Sequence, residues 1–137
     1  MTVSQERLRE LLDSPVFATI ATIQPDGTPQ QSVVWILRDG QEVLFMMAVG
    51  SRKERNIRRD PRISVLVSPP DAPYTYAVLR GTVALETEGR FRLRDNLSMK
   101  YIGLTYAEHI KQTPEAGHDT RDIIAARLTP HRVIGRL

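Results

Sequence analysis

A short basic segment follows one of the apolar runs of this sequence and has the residue types of an anion-binding turn. Gly50 permits a tight exit from a strand, Ser51 can cap a new helix, and Glu54 three residues later completes the spacing of a capping box. The free backbone amides of a helix N-terminus carry partial positive charge, to which Arg52 and Lys53 would add. A phosphate group is the natural ligand of such a turn.

The segment Val49–Asn56 is also compatible with a solvated basic helix that only keeps the protein soluble. Asn56 lies one turn after Lys53 and on the same helix face, which fits either interpretation. Spacing alone therefore leaves a phosphate site and a solvated helix as alternatives.

Other residues with catalytic chemistry are few. The chain has no cysteine, which excludes disulfides, thiolate ligands and a cysteine nucleophile. Its three histidines lack the paired spacing of a zinc site, and we expect no bound metal. The groups able to donate a proton are Tyr74, Tyr76, His109 and His118, but a tyrosine in a strand more often packs with its hydroxyl at the surface. The sequence assigns no catalytic residue.

Length and charge limit the classes of function. A chain of 137 residues with 41% hydrophobic content suits one domain, which we take as residues 1–137. Nineteen basic and sixteen acidic residues give a net charge of +3, too small an excess to predict nucleic-acid binding. We find neither a signal peptide nor an apolar run of about 20 residues, so we expect a cytoplasmic protein without a membrane span.

The elements that must position the basic turn are mostly strands. Runs rich in β-branched residues alternate with turns such as Gln24–Gly27 and Asp39–Gly40, which predicts hairpins joined as an antiparallel meander. Six or so short antiparallel strands predict a mainly β fold, a closed or nearly closed small barrel with flanking helices, because closure removes exposed edges. The predicted strands are Val16–Ile23, Pro29–Arg38, Glu42–Val49, Ile63–Val67, Tyr74–Leu85 and Asp122–Leu137, and the predicted helices are 4–13, 52–59 and 88–102.

Five segments carry a resemblance to a known family through their order and spacing. They are Ala18–Thr22, Pro25–Gln30, Ser32–Trp35, Ser51–Arg62 and Arg80–Val83. In these segments the chain resembles the pyridoxamine 5'-phosphate oxidase-like superfamily of FMN-binding split barrels, and specifically its small F420-dependent oxidoreductase branch. Relatives that bind FMN, F420 or haem share this barrel.

The resemblance implies a cofactor site completed at a homodimer interface. Lys53 and Asn56 fall where family members hold the cofactor phosphate. The remaining implied contacts are Ser51 and Arg52 beside the phosphate, Ser32, Val33 and Val34 along the ring, Ala48 and Val49 on the neighbouring strand, and Tyr76 and Val78 from the other subunit.

The resemblance favours an F420H2-dependent oxidoreductase that transfers a hydride to a small electron-poor substrate. One alternative is an FMN-dependent oxidase or reductase of the pyridoxamine 5'-phosphate oxidase type, because Arg127–Pro130 resembles the ending of that enzyme. Another is a non-catalytic protein that binds a flavin, F420 or haem. A missing catalytic triad does not argue against an enzyme here, since such cofactors carry the hydride themselves.

Overall fold

The computed structural model describes residues 3–137 and is built on a seven-stranded antiparallel sheet in the order β2-β1-β5-β6-β7-β4-β3. The strands are β1 (Ala18–Ile23), β2 (Pro29–Val34), β3 (Leu37–Asp39), β4 (Glu42–Ala48), β5 (Arg62–Val67), β6 (Tyr76–Glu86) and β7 (Ile123–Arg136). The helices are α1 (Gln5–Asp13), α2 (Arg52–Arg59), α3 (Arg90–Tyr101) and α4 (Tyr106–Gln112), followed by a 3₁₀ turn at Pro114–Gly117. The mainly β class is confirmed.

The sheet curls into a half-barrel, the split barrel that the sequence predicts. β2 and β3 lie at opposite ends of the strand order, yet only Trp35 and Ile36 join them. Two residues span at most about 10 Å between flanking strand ends, so the two edges of the sheet must approach each other at this point.

Prediction of a single strand over Pro29–Arg38 was wrong, although the predicted hairpins on either side of it are both present. β2 pairs only with β1, and β3 pairs only with β4. The strand breaks because side chains from α3 take over the backbone groups of buried Ile36: its N–H donates to the Tyr101 hydroxyl (3.1 Å), and its carbonyl accepts from Lys100 Nζ (2.7 Å). Trp35 stacks on the Tyr101 ring at 5.0 Å between centroids.

The main core fills the inside of the curled sheet. Alternate residues of β1 face inward, as Ala18 and Ile20 do with no exposed surface. Leu8, Leu11 and Leu12 of helix α1 pack into the same core. A second, smaller cluster lies under α3, where Leu93 and Leu97 pack against Leu44 of β4 and Ala125 of β7.

One row of residues runs across the outer face of four strands. Val33, Thr19, Leu66 and Val78 are successive register partners on β2, β1, β5 and β6. Val33 is 63% exposed and Leu66 is 40% exposed. We call these four residues the apolar row. Exposed apolar side chains that are aligned on a sheet face, here with Thr19 between Val33 and Leu66, are typical of an interaction site.

Candidate functional site

The basic turn between β4 and α2 folds as a capped helix N-terminus. Ser51 accepts a hydrogen bond at Oγ from the Glu54 amide (3.3 Å), as the capping-box spacing predicts. The Glu54 carboxylate, however, accepts from the amide of Gly50 (2.6 Å), one residue before the cap. That hydrogen bond and the one from Arg58 Nε (2.7 Å) hold the pKa of buried Glu54 below its usual value.

Lys53 has the properties of an anion ligand. It is half-buried, and burial lowers the pKa of its ammonium group. Within residues 3–137, neither a carboxylate nor a hydrogen-bond acceptor pairs with this ammonium, and the backbone amides of Arg52 and Lys53 also lack a protein acceptor. Burying an unpaired charge costs free energy, which an incoming anion would offset.

The other basic side chain of the turn, that of Arg52, lies at the protein surface. It is exposed and donates from Nη1 to Gln24 Oε1 (2.9 Å) in the β1–β2 turn. This hydrogen bond leaves Lys53 as the half-buried cation of the turn.

Asn56 is committed to the protein rather than open to a ligand. Its Nδ2 donates to Thr22 Oγ1 (3.0 Å) and to Gln30 Oε1 (3.3 Å), while its Oδ1 accepts from Arg59 Nη2 (3.1 Å). The residue is 2% exposed. In this arrangement Asn56 ties α2 to β1 and β2, and the predicted phosphate contact would require part of the network to open.

The sequence analysis missed the partners of Asn56, although a signal existed. Thr22 and Gln30 are cross-strand partners, and the alternation of β1 places both on the inward face. Thr22 Oγ1 donates to Gln30 Oε1 (3.2 Å), and each of these two oxygens can accept a further hydrogen bond from a buried donor.

The predicted ring-binding residues of β2 lie on both faces of the strand, with Ser32 and Val34 on the inward face and Val33 on the outward face. Val33 faces outward in the apolar row, whereas Val34 is buried in the core. The hydroxyl of Ser32 is buried and has no hydrogen-bond partner in the described part of the chain. An orphaned hydroxyl at a sheet edge fits a polar atom of a bound cofactor, because buried polar groups normally have partners.

Two further predicted contacts lead directly into the basic turn. Ala48 is the last residue of β4 and pairs with Ile123 of β7. Val49 follows, and its side chain is 42% exposed. The chain therefore brings Ala48, Val49 and Lys53 together within one strand-to-helix connection.

Tyr76 and Val78 are distant from the ring strand within one protomer. They lie on β6, three strand positions from β2, which corresponds to about 14 Å across the sheet. Both are partly exposed on the outer face. A contact of these residues with a ring held at Val33 is better explained by a second subunit, and this remains a prediction.

The possible proton donors are scattered. Tyr74 is 82% exposed in the loop before β6, and His109 lies on α4, which packs on α3 rather than on α2. His118 follows the 3₁₀ turn. Residues 3–137 contain no group of three or more acidic or histidine side chains placed to hold a metal ion.

Comparison with known proteins agrees with this architecture. The family model described as pyridoxamine 5'-phosphate oxidase matches residues 4–135. The chain belongs to the pyridoxamine 5'-phosphate oxidase family. This is a split-barrel family of flavin- and deazaflavin-related oxidoreductases.

Solved structures similar to this pyridoxamine 5'-phosphate oxidase family member include an F420 reductase. An F420 reductase is 27% identical with a TM-score of 0.75, covering 92% of this chain and 94% of its own. The conserved hypothetical protein Rv2991 from Mycobacterium tuberculosis is 25% identical with a TM-score of 0.77, at 97% and 84% coverage. General Stress Protein 26 from Bacillus anthracis is 15% identical with a TM-score of 0.68, at 93% and 89%, and shows the fold alone.

The helices of this split barrel are short. None of those within residues 3–137 is long and apolar enough to cross a membrane.

Proposed function

We propose that this protein is an F420H2-dependent oxidoreductase that transfers a hydride to a small electron-poor substrate. The observation that carries the proposal is the half-buried Lys53 ammonium, which has no acidic partner in the described chain and stands beside two free helix amides. The similarity of this chain to an F420 reductase extends over nearly all of both chains and supports the choice of F420 as the cofactor.

The residues present fit a phosphorylated deazaflavin. Lys53 and the amides of the α2 N-terminus would hold the phosphate, and the strand containing Ser32, Val33 and Val34 would border the ring. When bound, the cofactor supplies the hydride, while the protein orients it and excludes water.

The proposed site is completed by a second copy of the chain. In one protomer Val33 is 63% exposed and Val49 is 42% exposed, so a flavin-sized ligand lying on them would remain open to solvent. Cofactor sites usually bury about 70–90% of such a ligand. We therefore expect a homodimer in which Tyr76 and Val78 of the other subunit cover the ring.

Titration of the purified protein with F420 and with FMN tests the cofactor directly. We expect quenching of F420 fluorescence on binding and much weaker binding of FMN. Oxidation of F420H2 by a panel of quinones, nitroaromatics and enones then tests catalysis. Tight FMN binding without F420 binding would contradict the proposal, whereas F420 binding without turnover of any acceptor would favour a non-catalytic carrier.

The family description supports the FMN-dependent alternative. The sequence feature that suggested it, the Arg127–Pro130 segment, contains an arginine with another role here. The guanidinium of Arg127 forms ion pairs with Asp39 (2.9 Å), Glu42 (3.0 Å) and Glu86 (2.6 Å). These contacts raise the pKa of Arg127 and join β7 to its neighbours. The position of Arg127 is thus explained by the fold, without a ligand.

A further inference from the structure

A cavity of about 450 Å³ lies on the outer face of the sheet, two or more residues along each strand from the apolar row. Its volume falls within the range of small-molecule sites, about 300–1,000 Å³. Most of the lining surface is apolar and comes from β1, β5 and β6 together with the start of β2. The lining includes Ala21, Ile23 and Pro29 together with Ser64, Gly81 and Thr82.

A β-bulge directs a polar side chain to this cavity. The β6–β7 register shifts between Arg80 and Gly81, so that His131 has no partner on β6. Gly81 is required at this point, because a Cβ there would lie 2.0 Å from the Thr129 carbonyl oxygen. His131 lines the cavity, and its Nε2 lies 3.1 Å from Thr82 Oγ1. Bulges often serve to redirect a side chain at a functional site.

The cavity also has an arginine without a counter-charge. Arg80 lines it, and Arg132 is its direct register partner on β7. Neither arginine pairs with a carboxylate or donates a side-chain hydrogen bond anywhere in residues 3–137. Like charges directly opposite each other on two strands destabilise a sheet. A bound anion would remove this repulsion.

We propose that this cavity binds a small molecule with an apolar body and one oxyanion headgroup, held by Arg80 with Arg132 beside it. The apolar body contacts Ala21, Ile23 and Pro29, and His131 contributes a polar contact next to the headgroup. A guanidinium matches the geometry of carboxylate and phosphate oxygens alike, so the shared requirement is the oxyanion. The inference uses residues distinct from the proposed cofactor contacts and does not depend on the identity of that cofactor.

Titration of the full chain with octanoate, followed by calorimetry and by amide chemical shifts, tests this site. Octanoate should bind and shift the amides of Ser64, Gly81 and Thr82. Acetate, which lacks the apolar body, and 1-octanol, which lacks the charge, should each bind at least about tenfold more weakly. Octyl phosphate in a parallel titration distinguishes a phosphate from a carboxylate headgroup.

Substitution of Arg80 separates a charged site from a merely apolar one. Arg80→Gln should weaken octanoate binding by about tenfold or more and leave 1-octanol binding unchanged. Arg136→Gln is the matched control. Arg136, on β7, is exposed as Arg80 is on β6, but it does not line the cavity. Equal octanoate affinity in wild type and Arg80→Gln, no octanoate binding at all, or shifts confined to other residues would overturn the proposal.

Discussion

At the scale of single residues, burial of the Lys53 ammonium lowers the stability of the folded chain. Desolvation lowers the pKa of its ammonium, which means that the folded chain holds the proton less tightly than the unfolded chain does. Between the folded and unfolded pKa values the unfolded state binds more protons, so this residue makes stability rise with pH there. A residue that opposes folding in this way is typical of a binding site.

The charge of Lys53 should therefore control cofactor affinity in a pH-dependent way. We expect F420 affinity to fall as pH rises through the lowered pKa of Lys53, at a pH below the ordinary lysine value, because the ammonium is lost. Lys53→Arg should retain binding and remove this alkaline decline, since arginine stays charged. Fluorescence titrations between neutral and alkaline pH measure both effects.

Removal of the same charge should have opposite effects on binding and stability. Lys53→Met should weaken F420 binding by about tenfold or more, in a salt-dependent manner, while its melting temperature rises or stays equal. Exposed Arg55 on the same helix provides the control, and Arg55→Met should change neither property strongly. Unchanged F420 affinity in Lys53→Met would exclude the phosphate role.

At the scale of elements, the sequence predicted structure that depends on neighbouring residues and missed structure that depends on residues far along the chain. The β1–β2 hairpin and the helix after Ser51 follow from turn residues and capping, and both are present. The break at Trp35–Ile36 depends on Tyr101 and Lys100, some 65 positions along the chain, which no local pattern contains. The shifted Glu54 contact has a local cause instead: the Ser51 amide already donates to the Ala48 carbonyl (3.1 Å), and the carboxylate accepts from the preceding amide, that of Gly50.

The position of α2 is another long-range feature, and Asn56 maintains it. Asn56→Ala would leave Thr22 Oγ1 without its buried donor and Gln30 Oε1 with the Thr22 hydroxyl (3.2 Å) alone. We expect a loss of about 2 kcal/mol in the free energy of unfolding, measured by urea denaturation without cofactor. Asn96→Ala, at an exposed position of α3, should change it by less than about 0.5 kcal/mol. A stable Asn56→Ala protein that fails to bind cofactor would instead assign Asn56 to the ligand.

At the scale of the whole molecule, the outer sheet face links assembly to the proposed function. The apolar row crosses β2, β1, β5 and β6, and it contains both a proposed ring contact, Val33, and a proposed contact of the other subunit, Val78. Sequence alone predicted these strands. It did not show that exposed residues from four strands align, because that depends on the register between them.

Leu66 lies in this row without being a predicted cofactor contact, so it isolates the role of assembly. Leu66→Asp should convert the expected dimer into a monomer, because a carboxylate at an apolar interface loses its solvation, and F420 affinity should fall in parallel. Light scattering with fluorescence titration on the same sample measures both. Met99→Asp, at a similarly exposed apolar position on α3, should leave the dimer intact. A Leu66→Asp monomer that binds F420 as tightly as wild type would mean that one protomer encloses the cofactor by itself.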